Sequence, residues 1–153
     1  MWHTGSGDLI CSRDMISVIK SSEAAGCYIY VGSDSMFKNN RCIFATAICM
    51  HNPSFKHGGR FFYQRDYRQD PSLKILANRM LFETTTAIET AMLLRNAGVK
   101  NLCVHLDMGT DPKKNATSKM TDGLYGYVVG SGFDCEVKPH SWASSSVADR
   151  LSK

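Results

Sequence analysis

The chain has 153 residues, 43% of them hydrophobic and 21% charged, with a formal net charge of +4. That size and apolar content fit one domain with a real core, and no run of about 18 apolar residues occurs, which excludes a membrane-crossing helix. A mildly basic balance is compatible with a polyanionic substrate but does not by itself select one.

The start, Met1 to Asp8, lacks the basic residues and long apolar block of a signal peptide, so a cytoplasmic protein with no membrane partner is expected. Residues 9–21 carry Ile10, Met15, Ile16, Val18 and Ile19 at roughly helical spacing and predict a leading helix. Tyr28 to Asp34 predicts a strand, the segment from Phe37 to Asn40 a turn, and Arg41 to Met50 a second strand. Asn52-Pro53 and Gly58-Gly59 mark His51 to Gly59 as a loop, and Arg60 to Tyr67 predicts a third strand. These three strands can pair as an antiparallel meander.

Asp70-Pro71-Ser72 reads as a helix start. Leu73, Leu76, Ala77, Met80, Thr84, Ala87, Ile88, Ala91 and Leu94 then follow the spacing of a packed helix face, and Gly98 is a plausible stop. Asn101 to Asp107 predicts a fourth strand, Met120, Leu124, Tyr127 and Val128 a helix closing near Gly130 or Gly132, Asp134 to Lys138 a short fifth strand, and Ser141 to Leu151 a terminal helix. No repeat or linker divides the chain, so a single domain over 1–153 is expected. Its sheet is mixed and five-stranded, with helices on both faces and an extra N-terminal helix. Cys11, Cys27, Cys42, Cys49, Cys103 and Cys135 form no CxxC pair, and several sit in apolar runs. Buried reduced thiols are expected, rather than a zinc site or disulfides.

Two carboxylates fall at the tips of apolar strands, Asp34 after Tyr28 to Ser33 and Asp107 after Leu102 to Leu106. Ionised acids in such places are costly unless a cation or specific partner compensates them. On the long helix Glu83 lies at the edge of the buried stripe, whereas Glu89, six residues on at about 100° per residue, points away. Taken alone, a stripe-edge glutamate more often pairs with a lysine or arginine. Asp149 alone would be a solvated helical acid, and Asp111, Asp122 and Asp134 read as turn, helix and solvent residues.

A strand with Asp34, two further strands, a helix with Glu83, a strand with Asp107 and a late helix with Asp149 resembles the ribonuclease H-like superfamily. The match of element order covers about residues 28–153. Within that superfamily the segments Val31 to Ser35, Gly59 to Tyr63, Val104 to Gly109 and Lys138 to Asp149 resemble the YkuK-like family of uncharacterised proteins. The leading helix resembles that family's N-terminal extension. The resemblance implies that Asp34, Glu83, Asp107 and Asp149 are catalytic acids that hold Mg²⁺ or Mn²⁺, hard cations suited to carboxylate oxygen. Two ions about 3.5–4 Å apart would clamp an in-line displacement at phosphorus. In this reading Asp34 bridges both, Glu83 and Asp107 favour one, and Asp149 favours the other. Hydrolysis would leave a 3′-hydroxyl and a 5′-phosphate.

Ser35, Lys113, Lys114 and His140 are the candidate contacts to a nucleic-acid substrate, which could be RNA, DNA, a hybrid or a branched form. Arg60, Arg65 and Arg68 interleave with Phe61, Phe62, Tyr63 and Tyr67; the favoured reading is core aromatics with arginines along a solvated edge. His105 shares a strand face with Asp107, where a packed, hydrogen-bonded histidine is the commoner outcome. The leading expectation is a metal-dependent nuclease. The alternatives are a nucleic-acid-binding relative with little or no turnover, and a protein–protein module with structural acids.

Overall fold

The structure, a computed structural model, describes residues 1–54, 59–113 and 118–153. Seven strands form one mixed sheet: β1 (Trp2–Thr4), β2 (Leu9–Ile10), β3 (Tyr28–Lys38), β4 (Arg41–His51), β5 (Arg60–Arg68), β6 (Leu102–Leu106) and β7 (Asp134–Glu136), in the spatial order β2-β1-β5-β4-β3-β6-β7. The helices are α1 (Ser12–Ala24), α2 (Leu76–Asn96), α3 (Ser118–Gly130) and a terminal helix that begins as a wide π turn over Ala143–Ala148 and continues as α4 (Asp149–Ser152).

The expected meander is β3-β4-β5, antiparallel throughout, with β6 and β7 added in parallel on the other side of β3. The β3–β4 hairpin turns on Asn39 and Asn40 alone, both left-handed at φ 55° and 58°. That pair of angles is what a two-residue hairpin loop needs, and asparagine tolerates it. Because the loop is so tight, β3 runs on through Asp34 to Lys38 rather than ending at the aspartate.

Two further departures lie at the N-terminus. The sheet has seven strands rather than five, since β1 pairs with β2 and with β5. Leu9 and Ile10 belong to that hairpin, and the leading helix starts only at Ser12. Strands of two and three residues carry no readable period, and the two apolar residues of β2 merge by eye into the helical pattern that follows.

One face of the sheet carries α1, α2 and α3. Ile29, Val31, Ile48, Met50 and Phe62 from the strands meet Met15, Ile19, Ala87, Ile88, Ala91, Leu124 and Val128 from these helices in the main core. The opposite face is covered by the terminal helix, whose Ala143 and Ala148 pack on Ala47 and Cys49 with Tyr30 and Trp142 alongside. All six cysteines are unpaired; Cys42, Cys49 and Cys135 are buried as expected, but Cys11 is exposed. It caps α1 instead, its sulfur accepting from the Asp14 amide at 3.4 Å.

Candidate metal and nucleic-acid site

The parallel register of β3 and β6 places Ser33 opposite Leu106. The next residue on each strand is an aspartate, so Asp34 and Asp107 leave neighbouring strands at the same level. β6 stops at Leu106 while β3 continues to Lys38. Beyond that level β3 has no strand neighbour on this side among the described residues, and side chains from both faces can meet around its edge.

Alternation along β3 directs successive residues to opposite faces. Ser35 turns to α2 and donates a short hydrogen bond to Glu83 Oε1. Asp34 turns to the terminal helix, where Ser152 donates to its Oδ2 at 3.2 Å. The Asp149 carboxyl lies within hydrogen-bonding reach of Asp34 as well. Asp34 and Glu83 are each only 8% exposed, while Glu89, on the other side of α2, is exposed.

The terminal helix can reach Asp34 because Gly32 lets it. A β-carbon at Gly32 would stand 2.5 Å from both the Ala143 carbonyl carbon and the Ser144 nitrogen. Those are backbone atoms that cannot rotate aside, so only glycine permits this approach. His105 completes the seat: its Nδ1 accepts from the Ala143 amide at 3.0 Å, and the Ser144 hydroxyl donates to its carbonyl. Burial pushes the His105 pKa down to about 4, so the ring is neutral and carries its proton on Nε2. It packs tilted against Tyr30 and edge-on to Trp142, the packed histidine expected from the sequence.

Burial is also the first cause of the electrostatic state of the acids. The Asp34 pKa is pushed up to about 9, by desolvation first, then by the charges of Glu83 and Asp107 and by the hydrogen bond with Asp149. The Glu83 pKa is pushed up to about 8 by burial, against the opposing pull of the Ser35 hydroxyl. In the chain alone both therefore hold protons at neutral pH. Like charges gathered in a dry place cannot all ionise.

Two lysines stand at the rim. Lys138 Nζ lies 3.3 Å from Asp107 Oδ1 without completing a hydrogen bond, and among the described residues that buried oxygen has no hydrogen-bond partner. Lys153 donates to Asp149 Oδ2 at 2.9 Å. Their side chains are 41% and 54% exposed, so these are surface pairs of small net worth. The donor set around the four acids is all oxygen, which suits a hard divalent cation. Among the described residues, however, no three of His, Cys, Asp and Glu stand close enough together to hold one ion.

The model of the ribonuclease H-like family matches residues 11–153. The chain belongs to the ribonuclease H-like family. It is similar to the uncharacterised protein YkuK of Bacillus subtilis (strain 168), 23% identical over 139 residues, which cover 80% of this chain and 77% of YkuK. No solved structure matches it significantly. Membership of this family points to a nuclease or nucleic-acid-related function, and no helix among the described residues is long and apolar enough to cross a membrane.

The remaining sequence-predicted contacts of this ribonuclease H-like chain are placed differently from one another. Ser35 is engaged with Glu83 and so positions a carboxylate. Lys113 is exposed in the turn after β6, its amide on Asp111 Oδ1 at 2.9 Å. His140 is exposed in the loop before the terminal helix, its amide closing on the Val137 carbonyl. Lys114 lies outside the described residues. Sequence reasoning missed Ser152, Lys138 and Lys153. For Lys153 a signal existed, since it follows Asp149 by four residues on a helix; for Ser152 and Lys138 none did.

Proposed function

We propose that this chain is a divalent-metal-dependent nuclease acting on a phosphodiester. What supports the proposal is that Asp34 on β3 and Glu83 on α2 are buried beside one strand edge, and that Asp34 feels Glu83, Asp107 and Asp149, although among the described residues no three of these groups stand close enough to hold one ion. Asp34 is a buried carboxyl beside other acids, met by the Ser152 hydroxyl and a backbone hydrogen bond from Ser35, and such a group is costly to ionise without a cation. These four residues would hold Mg²⁺ or Mn²⁺, two ions in the reading favoured here. Bound there, the metal would supply an activated water and stabilise the leaving oxygen, giving a 3′-hydroxyl and a 5′-phosphate.

The chain's own groups have separable tasks. Ser35 fixes the Glu83 carboxylate. Ser152 orients Asp34. Neutral His105 and Gly32 hold the terminal helix where Asp149 can join. Lys138 and Lys153 occupy Asp107 and Asp149 as mobile countercharges that a cation would displace. Lys113, Lys114 and His140 are proposed to meet substrate at the rim, in a cytoplasmic setting.

The test is incubation with labelled RNA, DNA, hybrid and branched substrates in Mg²⁺ and in Mn²⁺. Metal-dependent cleavage is expected, with Asp34→Asn and Asp107→Asn each lowering it by roughly 10²-fold or more, the scale of removing one element of an electrostatic site. A second reading is a nucleic-acid binder with little turnover. It is favoured by the two lysine pairs and by the lack of a preformed three-carboxylate cup. Salt-sensitive binding to the same panel without cleavage in either metal would establish it instead.

A further inference from the structure

The register of the β3-β4-β5 hairpins places more than Asp34 on the face that the terminal helix partly covers. Asp34, Ala45 and Arg65 form one cross-strand row. The next row towards the hairpin tip is Met36, Ile43 and Tyr67, and the last is Lys38 and Arg41. Residues directly opposite one another across these pairs share a face, so all of them lie on the side of Asp34. Each row is about 7 Å from the next, two residues along a strand.

The two faces at this end of the sheet differ sharply. On the α2 side Cys42, Phe44 and Leu73 are buried together, with Phe37 and Phe82 packed against them. On the Asp34 side the terminal helix stops short. Tyr67 is 55% exposed, Lys38, Arg41 and Arg65 are exposed, and Met36 and Ile43 are half-buried. The guanidinium of Arg41 lies over the Tyr67 ring at 5.4 Å and that of Arg65 over Tyr63 at 5.1 Å. Within the three rows themselves Asp34 is the one acid, with Asp149 joining it from the terminal helix; Asp66 faces the other way, opposite Phe44. The expectation of core aromatics holds for buried Phe62 and Tyr63 on β5 but not for Tyr67.

We infer that these rows form a stacking and phosphate-binding platform that leads an unpaired nucleic-acid strand to the acid cluster. This rests on the nuclease reading for the identity of the cluster, but names the substrate class that reading leaves open. Exposed cations set around an exposed ring, with a cation already stacked on it, are what an unpaired strand uses: phosphates meet Lys38, Arg41 and Arg65, and a base stacks on Tyr67. The bases of a duplex are stacked inside and cannot reach such a ring.

The test is fluorescence anisotropy in EDTA, using a labelled 12-nucleotide single strand and the matching duplex. Arg65 is left intact because its Nε holds the Leu151 carbonyl at 2.7 Å and so anchors α4. Wild type is expected to prefer the single strand. Tyr67→Ala should weaken that binding by roughly tenfold, and Tyr67→Phe should keep it within about twofold, since the ring does the stacking. Lys38→Ala with Arg41→Ala should lower the slope of log affinity against log salt by about 1.4, two phosphate contacts at about 0.7 each. All are surface substitutions, with folding checked by circular dichroism. Equal affinity for the duplex, or platform variants that bind like wild type, overturns the inference. A protein that cleaves in Mg²⁺ yet ignores these substitutions loses the platform and keeps the nuclease. One that binds single strands through Tyr67 but never cleaves keeps the platform and loses the nuclease.

Discussion

Glu23 and Asp34 are carboxylates near opposite ends of the same parallel strands, and they are treated in opposite ways. Glu23, at the end of α1, accepts the backbone amides of Lys100 and Asn101 at 2.8 and 2.7 Å just before β6 begins. Nearby Arg95 donates to the Ser131 carbonyl and stacks over Phe133, lining a cavity of about 380 Å³ that none of the four acids touches. At the other end of β6, Asp34 and Glu83 are buried with serine hydroxyls as their side-chain donors, and a buried oxygen of Asp107 has no hydrogen bond. A carboxylate that receives two amides is finished by the fold itself. Under the proposed metal site, one that keeps a proton against its nature would be completed by a cation. That cavity therefore lies away from the acids, and unmet charge rather than cavity volume is what supports the proposed site.

The sharpest way to break that contrast is to melt the protein with and without metal across pH. In the folded chain the pKa of Asp34 is raised from 3.8 to about 9 and that of Glu83 from 4.5 to about 8. The folded state thus binds more protons than the unfolded one between about pH 4 and 9, and metal-free stability must fall as pH rises through that window. Mg²⁺ at a hundred times its Kd should then add about 2.7 kcal/mol at pH 8. Asp34→Asn should abolish the Mg²⁺ response and raise metal-free stability at that pH. A wild-type melt indifferent to both Mg²⁺ and Mn²⁺ would sink the metal site.

Gly32→Ala tests the seat of the terminal helix. The new methyl would strike the Ala143–Ser144 backbone, and we expect a loss of roughly 1–3 kcal/mol in urea denaturation, with a weakened Mg²⁺ response because Asp149 and Ser152 move. Unchanged stability would mean that the helix does not sit where it is described. Ser35→Ala removes the donor to Glu83 and should cost about 1–2 kcal/mol without metal, and less with Mg²⁺ bound. Glu23→Gln should cost about 1 kcal/mol or less, leaving the Mg²⁺ shift of the melting temperature intact. If it altered that shift, the two ends would not be independent.

Much of this arrangement was legible beforehand, for particular reasons. Alternation and turn residues marked β3 to β7, and helical phase alone separated Glu83, which is buried, from Glu89, which is exposed. Asp34 and Asp107 stood out because charge ended an apolar run. What could not be read was whatever depends on a partner far along the chain. The three residues of β1 join the sheet by pairing with distant β5 as well as with β2. Gly32 looks like any glycine in a strand until Ala143 arrives from more than a hundred residues away. The π turn of the terminal helix has no period of its own, and Tyr67 continues an aromatic run whose other members are covered.

The early stop of β6 has one more consequence. Among the described residues no strand pairs with the outer edge of residues 34 to 38 of β3, and such an edge is the kind of surface onto which the strand of another molecule can add. Lys38 places a charge at one end of that edge, while the Asp34 carboxyl at the other is neutral in the metal-free chain. Self-association of Asp34→Asn is therefore to be measured by light scattering before any loss of activity is credited to the missing carboxylate.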